Sequence, residues 1–209
     1  NWTIKGIEAL SLWFKGNPAG FVEAPAGTYT MAASGVDIWG TADEFRFAWK
    51  QMTGDGSITA TVESVLWVPG SGDWSKAGVM IRETLEPGSK NAFVALSTGA
   101  GNGATFQWRP TAGGTSSSSR TLTGIRPPSA IKLERKGNTF TGYVFLNGQW
   151  QQEGQPATVA MGSTVYIGLA LTSHSAGVTT EAVFSNVTTT GAVTGVFTQQ
   201  VIGSAAMPS

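Results

Sequence analysis

The chain has 209 residues, thirteen basic and thirteen acidic side chains, and a formal net charge of zero. That length suits one large β-domain with a full core, and the balanced charge, with no basic stripe, excludes a nucleic-acid surface. No cysteine and one histidine exclude disulfides, thiolate metal sites and a His-based zinc centre, and no run of roughly eighteen apolar residues is present to insert in a membrane.

In chain order, Leu10, Leu12 and Phe14 alternate with Ala9, Ser11 and Trp13, a strand pattern stopped at Gly16-Asn17-Pro18. Thr28 to Ala33 is a second predicted strand, and Gly35 to Asp43 is a loop with Trp39 in its middle. From Glu44 to Gln51 the aromatic residues Phe45, Phe47 and Trp49 take one face, before Thr53-Gly54-Asp55-Gly56 turns the chain. Ser57 to Val68 is a long β-rich run. Trp74 to Arg82 then sets Ala77, Val79 and Ile81 on an aliphatic face and Lys76, Gly78, Met80 and Arg82 on the other. Lys90 to Thr98 and Ala104 to Arg109 make a hairpin across a glycine-rich turn, and Phe106 and Trp108 alternate with Thr105, Gln107 and Arg109.

Gly113 to Ser119 is a low-complexity segment expected to be a mobile loop. Ala130 to Lys136 and Thr139 to Leu146 form another hairpin, and Asn147-Gly148 suits a type I′ turn. Thr164 to Ser173, Val178 to Thr190 and a weak strand from Val193 to Val201 complete the set. Many short strands, evenly spaced and without an amphipathic helix, specify an all-β sandwich of two antiparallel sheets.

Asp37-Ile38-Trp39-Gly40-Thr41-Ala42-Asp43-Glu44-Phe45, Trp74 to Glu83, Phe106-Gln107-Trp108-Arg109, Tyr166-Ile167-Gly168-Leu169-Ala170, Thr172-Ser173-His174 and Phe184-Ser185-Asn186-Val187 occur in this order. Together they resemble the concanavalin A-like, laminin G-like jelly-roll domains of the "regulation of enolase"-like family. The resemblance covers about Gly27 to Gly191. It implies a jelly-roll module of a large secreted or surface protein of bacteria, often found beside carbohydrate-active enzymes. The expected division is an N-terminal strand segment over 1–20, the sandwich over 21–192 and a C-terminal strand or linker segment over 193–209. The terminal segments are either edge strands of the sandwich or remnants of neighbouring modules of a longer polypeptide.

Glycan binding asks for rings that stack on pyranose faces and planar polar groups that grip vicinal hydroxyls. The eight tryptophans include Trp39, Trp67 and Trp74 in or beside loops. Arg82, Gln107 and Arg109 share the polar strand faces with Met80, and Arg46, Lys132 and Glu134 are candidates to join them. The competing reading of these faces is a solvated sheet held by cross-strand ion pairs, such as Arg82 with a glutamate. His174 is a loop residue at a strand end. Asp37, Asp43 and Asp73 flank tight loops and are candidate ligands for a structural Ca²⁺. The close carboxyl pairs Asp43-Glu44 and Glu83/Glu86 lack the same-face spacing that glycoside hydrolysis needs.

The sequence therefore favours a non-catalytic carbohydrate-binding module, extracellular or on the cell surface. Its expected ligand is a polysaccharide or other glycan, contacted by Arg82, Gln107, Arg109, Trp74, His174 and Trp39, with neighbouring modules of the same polypeptide as further partners. The alternatives are a structural or protein-interaction spacer and a glycoside hydrolase on the same fold.

Overall fold

The computed structural model describes residues 20–99 and 101–204, so the N-terminal Leu10/Leu12/Phe14 strand and Trp13 lie outside the described residues. Among the described residues every regular element is a strand: β1 (Phe21–Glu23), β2 (Tyr29–Gly35), β3 (Ile38–Trp39), β4 (Ala42–Asp43), β5 (Phe45–Val65), β6 (Lys76–Arg82) and β7 (Asn91–Ser97). The chain continues through β8 (Ala104–Arg109), β9 (Ser117–Ser119), β10 (Ser129–Lys136), β11 (Thr139–Leu146), β12 (Gln149–Thr158), β13 (Thr164–Thr172) and β14 (Ser175–Ile202).

All pairings are antiparallel, and two long strands run through both layers. The first half of β5 pairs with β13, which continues through β6, β7 and β8 to β9 and makes the front sheet. The second half of β5 pairs with β10, which leads to β11 and β12 in the back sheet. Residues 53–56 read as a turn in the sequence. They are instead the corner at which one continuous strand leaves the front ladder at Thr53↔Thr164 and joins the back ladder at Gly56↔Arg135. β14 behaves alike, lying between β2 and β5 and following β5 to Ile202↔Phe45. The residues after 193 therefore extend a sandwich strand.

The aliphatic face of β6 packs where alternation put it. Ala77, Val79 and Ile81 join Val94, Phe106, Leu133, Phe140, Leu169 and Phe184 in the main core between the sheets. Burial of each large side chain there contributes about 1.5–3 kcal/mol. Asn147 and Gly148 take φ values of 52° and 81°, the paired positive angles of the expected I′ turn between β11 and β12. The low-complexity segment is not a free loop throughout: Ser117–Ser119 form an edge strand on β8.

The second face of the front sheet is also covered. Every residue of β6 is buried. Over this outer face lies the β3–β4 hairpin, and Ile38 packs with Phe45, Phe47, Met80, Phe93, Ala170 and Ile202 in a second apolar cluster.

Candidate functional site

Cross-strand register decides which outer-face residues meet. Arg82, Asn91 and Arg109 are direct neighbours on β6, β7 and β8, and Asp43 of the hairpin sits over them. Arg109 donates to Asp43 Oδ1 and Oδ2 at 2.5 and 2.8 Å, Arg82 Nη1 to Oδ2 at 3.3 Å, and Asn91 Nδ2 to Oδ2 at 3.1 Å. All four side chains are buried. Burial pushes the Arg82 guanidinium down to about 10, against the opposing pull of Asp43. Arg109 also donates to the backbone oxygens of Trp39 and Gly40 at 3.1 and 3.2 Å, pinning the hairpin.

These positions correct three expectations. Arg82 and Arg109 have no exposed surface with which to meet a ligand, because the hairpin closes over them. Arg82 pairs with Asp43, not with a glutamate. Asp43 is enclosed by cationic and amide donors, which leaves a metal ion no approach. Arg46 does not join the set either: its Nε donates to the Ala32 carbonyl and its Nη1 to the Gln199 side chain. Lys132 and Glu134 lie on β10 in the back sheet.

At the other end of β6 the same face opens into a cleft of about 320 Å³ lined by Asp37, Trp39, Trp74, Lys76, Thr105, Gln107, Ser118, Arg120 and His174. Trp39, Trp74, Gln107 and His174, separate in the sequence, are thus brought together, with Asp37 among them. Asp73 is absent from this lining. Among the described residues no group of three or more His, Cys, Asp or Glu side chains could hold a metal ion, so Asp37, Asp43 and Asp73 do not converge.

The cleft is held by one ion pair and its neighbours. Lys76 Nζ, buried on β6, donates to Asp37 Oδ1 at 2.6 Å. Desolvation pushes the Lys76 ammonium below its ordinary pKa, while Asp37 and Asp43 work in the opposite direction. Asp37 Oδ2 lies 3.4 Å from His174 Nε2. His174 turns the chain between β13 and β14 with φ at 58°, the left-handed region that a side chain enters at a cost. The Lys76 ammonium stands 5.9 and 5.6 Å from the Trp39 and Trp74 ring centres, and the Arg120 guanidinium lies 5.0 Å from Trp74. Trp39 keeps 37 % of its surface exposed.

Two lining residues carry buried polar atoms without a hydrogen-bond partner, Thr105 Oγ1 and Gln107 Oε1. They project from alternate positions of β8 and so share a face. An unsatisfied buried group costs about 1–3 kcal/mol. Both atoms are closed to solvent in this structure, so a hydroxyl-bearing ligand would satisfy them only once the side chains above them shift aside.

Strand alternation puts Lys76 on the polar face of β6 but gives it no role. Thr105 was legible by the same alternation, two residues before Gln107. Nothing in the sequence marked Arg120, which follows the serine run and reaches the cleft only because β9 pairs with β8.

No protein-family model matches this sequence, and no curated protein matches it. Solved structures do. A functionally unknown protein from Saccharomyces cerevisiae superposes with a TM-score of 0.61 at 15% identity, over 83% of this chain and 92% of that one. The legume lectin-like domain from Entamoeba histolytica gives 0.51 at 9% identity, over 82% and 86%. The GH43 BlXynB protein from Bacillus licheniformis gives 0.52 at 12% identity, but this chain spans only 33% of it. At such identities the likeness concerns the fold alone. Two antiparallel sheets, strands shared between them and the lectin-like likeness together make the chain a concanavalin A-like jelly-roll β-sandwich.

Proposed function

We propose that the chain is a carbohydrate-binding, lectin-like module, and that the ligand site is the cleft between the β3–β4 hairpin and the Trp74 and His174 turns. The observation that carries this reading is a cleft walled by an exposed indole, Trp39, and lined by Thr105 Oγ1 and Gln107 Oε1, buried and without partners. Sugars present the complementary chemistry, an apolar ring face bordered by hydroxyls. The lectin-like domain from Entamoeba histolytica supports the reading through its shared fold. The reading is non-catalytic. The cleft is lined by one carboxylate, Asp37, whose two oxygens face Lys76 and His174, whereas glycoside hydrolysis ordinarily uses a pair of carboxyls. A secreted or surface setting beside other modules, as in the "regulation of enolase"-like proteins that the sequence resembles, belongs to the same proposal.

A glycan array probed with the wild-type chain, Trp39→Ala and Gln107→Ala tests it. Trp39 is exposed and anchored through its backbone, so its truncation spares the fold. The expected result is a defined set of bound glycans, weakened about tenfold or more in both variants, the equivalent of about 1.4 kcal/mol. Binding that survives both substitutions would move the site elsewhere. Silence across a broad array would favour the spacer reading.

A further inference from the structure

The charged groups around the cleft say more about its ligand than the aromatic walls do. Lys76, Arg120 and Asp37 line it, together with His174. Two fixed cations against one carboxylate leave a single positive charge, before any contribution from His174. Asp37 is engaged by Lys76 at 2.6 Å and by His174 at 3.4 Å, so Arg120 is the cation without a counter-charge in the cleft lining. Outside the cleft lining, the buried carboxylate of Glu153 accepts the backbone N–H groups of Thr121 and Leu122, at 3.0 Å each, and also feels the Arg120 charge.

Arg120 is exposed yet held. Its Nη2 donates to the carbonyl of Gly101 at 3.2 Å and to that of Asn102, and its guanidinium carbon lies 5.0 Å from the Trp74 ring centre. An arginine free in solvent surrenders rotamer entropy on being fixed, and here the two carbonyls already hold it. Its Nε and Nη1 donate to no acceptor among the described residues. With Nη2 engaged by the two carbonyls, Nε–H and Nη1–H lie on different edges of the guanidinium, and each is open to donate one charge-assisted hydrogen bond to a carboxylate oxygen of a ligand.

Resting on the glycan reading above, we propose that the ligand is an acidic glycan, and that Arg120 binds the carboxylate of a uronic acid residue while Thr105 and Gln107 take its hydroxyls. Arg120 fixes the charge, Trp39 the ring, and β8 the hydroxyl pattern.

The test is calorimetric titration of the wild-type chain with oligomers of galacturonate, mannuronate and glucuronate, the methyl ester of each, a sulfated glucan, and neutral glucan and xylan. An ester keeps the ring and linkage of its acid and removes only the charge. The expected result is that at least one uronate binds about tenfold or more tighter than its own ester, with an affinity that falls as salt rises from about 50 to about 500 mM. Arg120→Ala should erase the difference between acid and ester. Arg120→Lys, which keeps the charge and loses the fixed Nε and Nη1 donors, should restore only part of it. Equal affinity for acid and ester, or tightest binding to a neutral chain, would overturn the acidic ligand and leave the carbohydrate reading standing. Preference for the sulfated glucan, insensitive to Arg120→Lys, would overturn the carboxylate assignment. No binding to any of these oligomers would overturn the uronate proposal, and the glycan array would then decide the carbohydrate reading.

Discussion

Asp43 shows how much one side chain can decide. Two guanidinium groups and one amide point at it from three adjacent strands, and none of the four reaches solvent. Replacing one partner of such a cluster leaves buried charge uncompensated, at a cost of about 3–5 kcal/mol. Asp43→Asn should therefore lower the denaturation midpoint by that equivalent at unchanged m-value; a loss below about 1 kcal/mol would mean that water reaches the arginines. A second buried carboxyl titrates. Burial pushes Glu153 above the usual carboxylate range, against the hydrogen bonds from Thr121 and Leu122. Its folded pKa thus exceeds its unfolded one, so the unfolded chain releases this proton first. Stability should fall as pH rises from the ordinary carboxylate value to the raised one, and level off above it. Glu153→Gln should abolish that step, measured by thermal unfolding across pH. Alternation alone put Arg82 and Arg109 on the second face of their strands, and that placement is right. What covers a face is a tertiary fact, and Asp43 lies 39 and 66 residues from its two arginines.

The β3–β4 hairpin turns that face from a surface into an interior. Only two residues of each strand pair, Ile38↔Asp43 and Trp39↔Ala42, so its period is too short to read, and the sequence shows a loop around Trp39. Its approach is set at Gly35, with φ at 130°, where a Cβ would stand 2.0 Å from the Glu44 carbonyl oxygen. The Gly35 carbonyl in turn accepts from Thr172 Oγ1 at 3.0 Å. Backbone strain of this kind costs about 1–3 kcal/mol. Gly35→Ala should destabilise the chain by that order and swing Asp37 and Trp39 away from Lys76. Amide exchange over residues 38–43 should quicken while β7 stays protected. Unchanged exchange in the hairpin would show that Arg109 and Asp43 hold it without help from Gly35. Ser117–Ser119 repeats the lesson, since a polar run without periodicity pairs because β8 offers an edge.

At the scale of the molecule, the all-β class, the main core faces and the Asn147-Gly148 turn follow from periodicity and turn chemistry, both local in the chain. The passage of β5 and β14 between sheets does not, because a corner and a turn share the same Gly-Asp-Gly signature at 54–56. The cleft lies beyond local pattern too. Trp39 enters on the hairpin, Trp74 on a loop, Lys76 on β6, Thr105 and Gln107 on β8, Arg120 after β9 and His174 after β13. Their residue types hinted at sugar binding, but only the sandwich brings them together. Other exposed rings compete for the role, notably Trp67 at 54 % and Trp150 at 37 % exposure. The most direct measurement is therefore a nitrogen–proton NMR titration of the indole N–H signals with whichever glycan the array identifies. The account predicts that the Trp39 and Trp74 signals move together and saturate while Trp67 and Trp150 stay still. Movement of Trp150 or Trp67, with Trp39 and Trp74 unmoved, would contradict it.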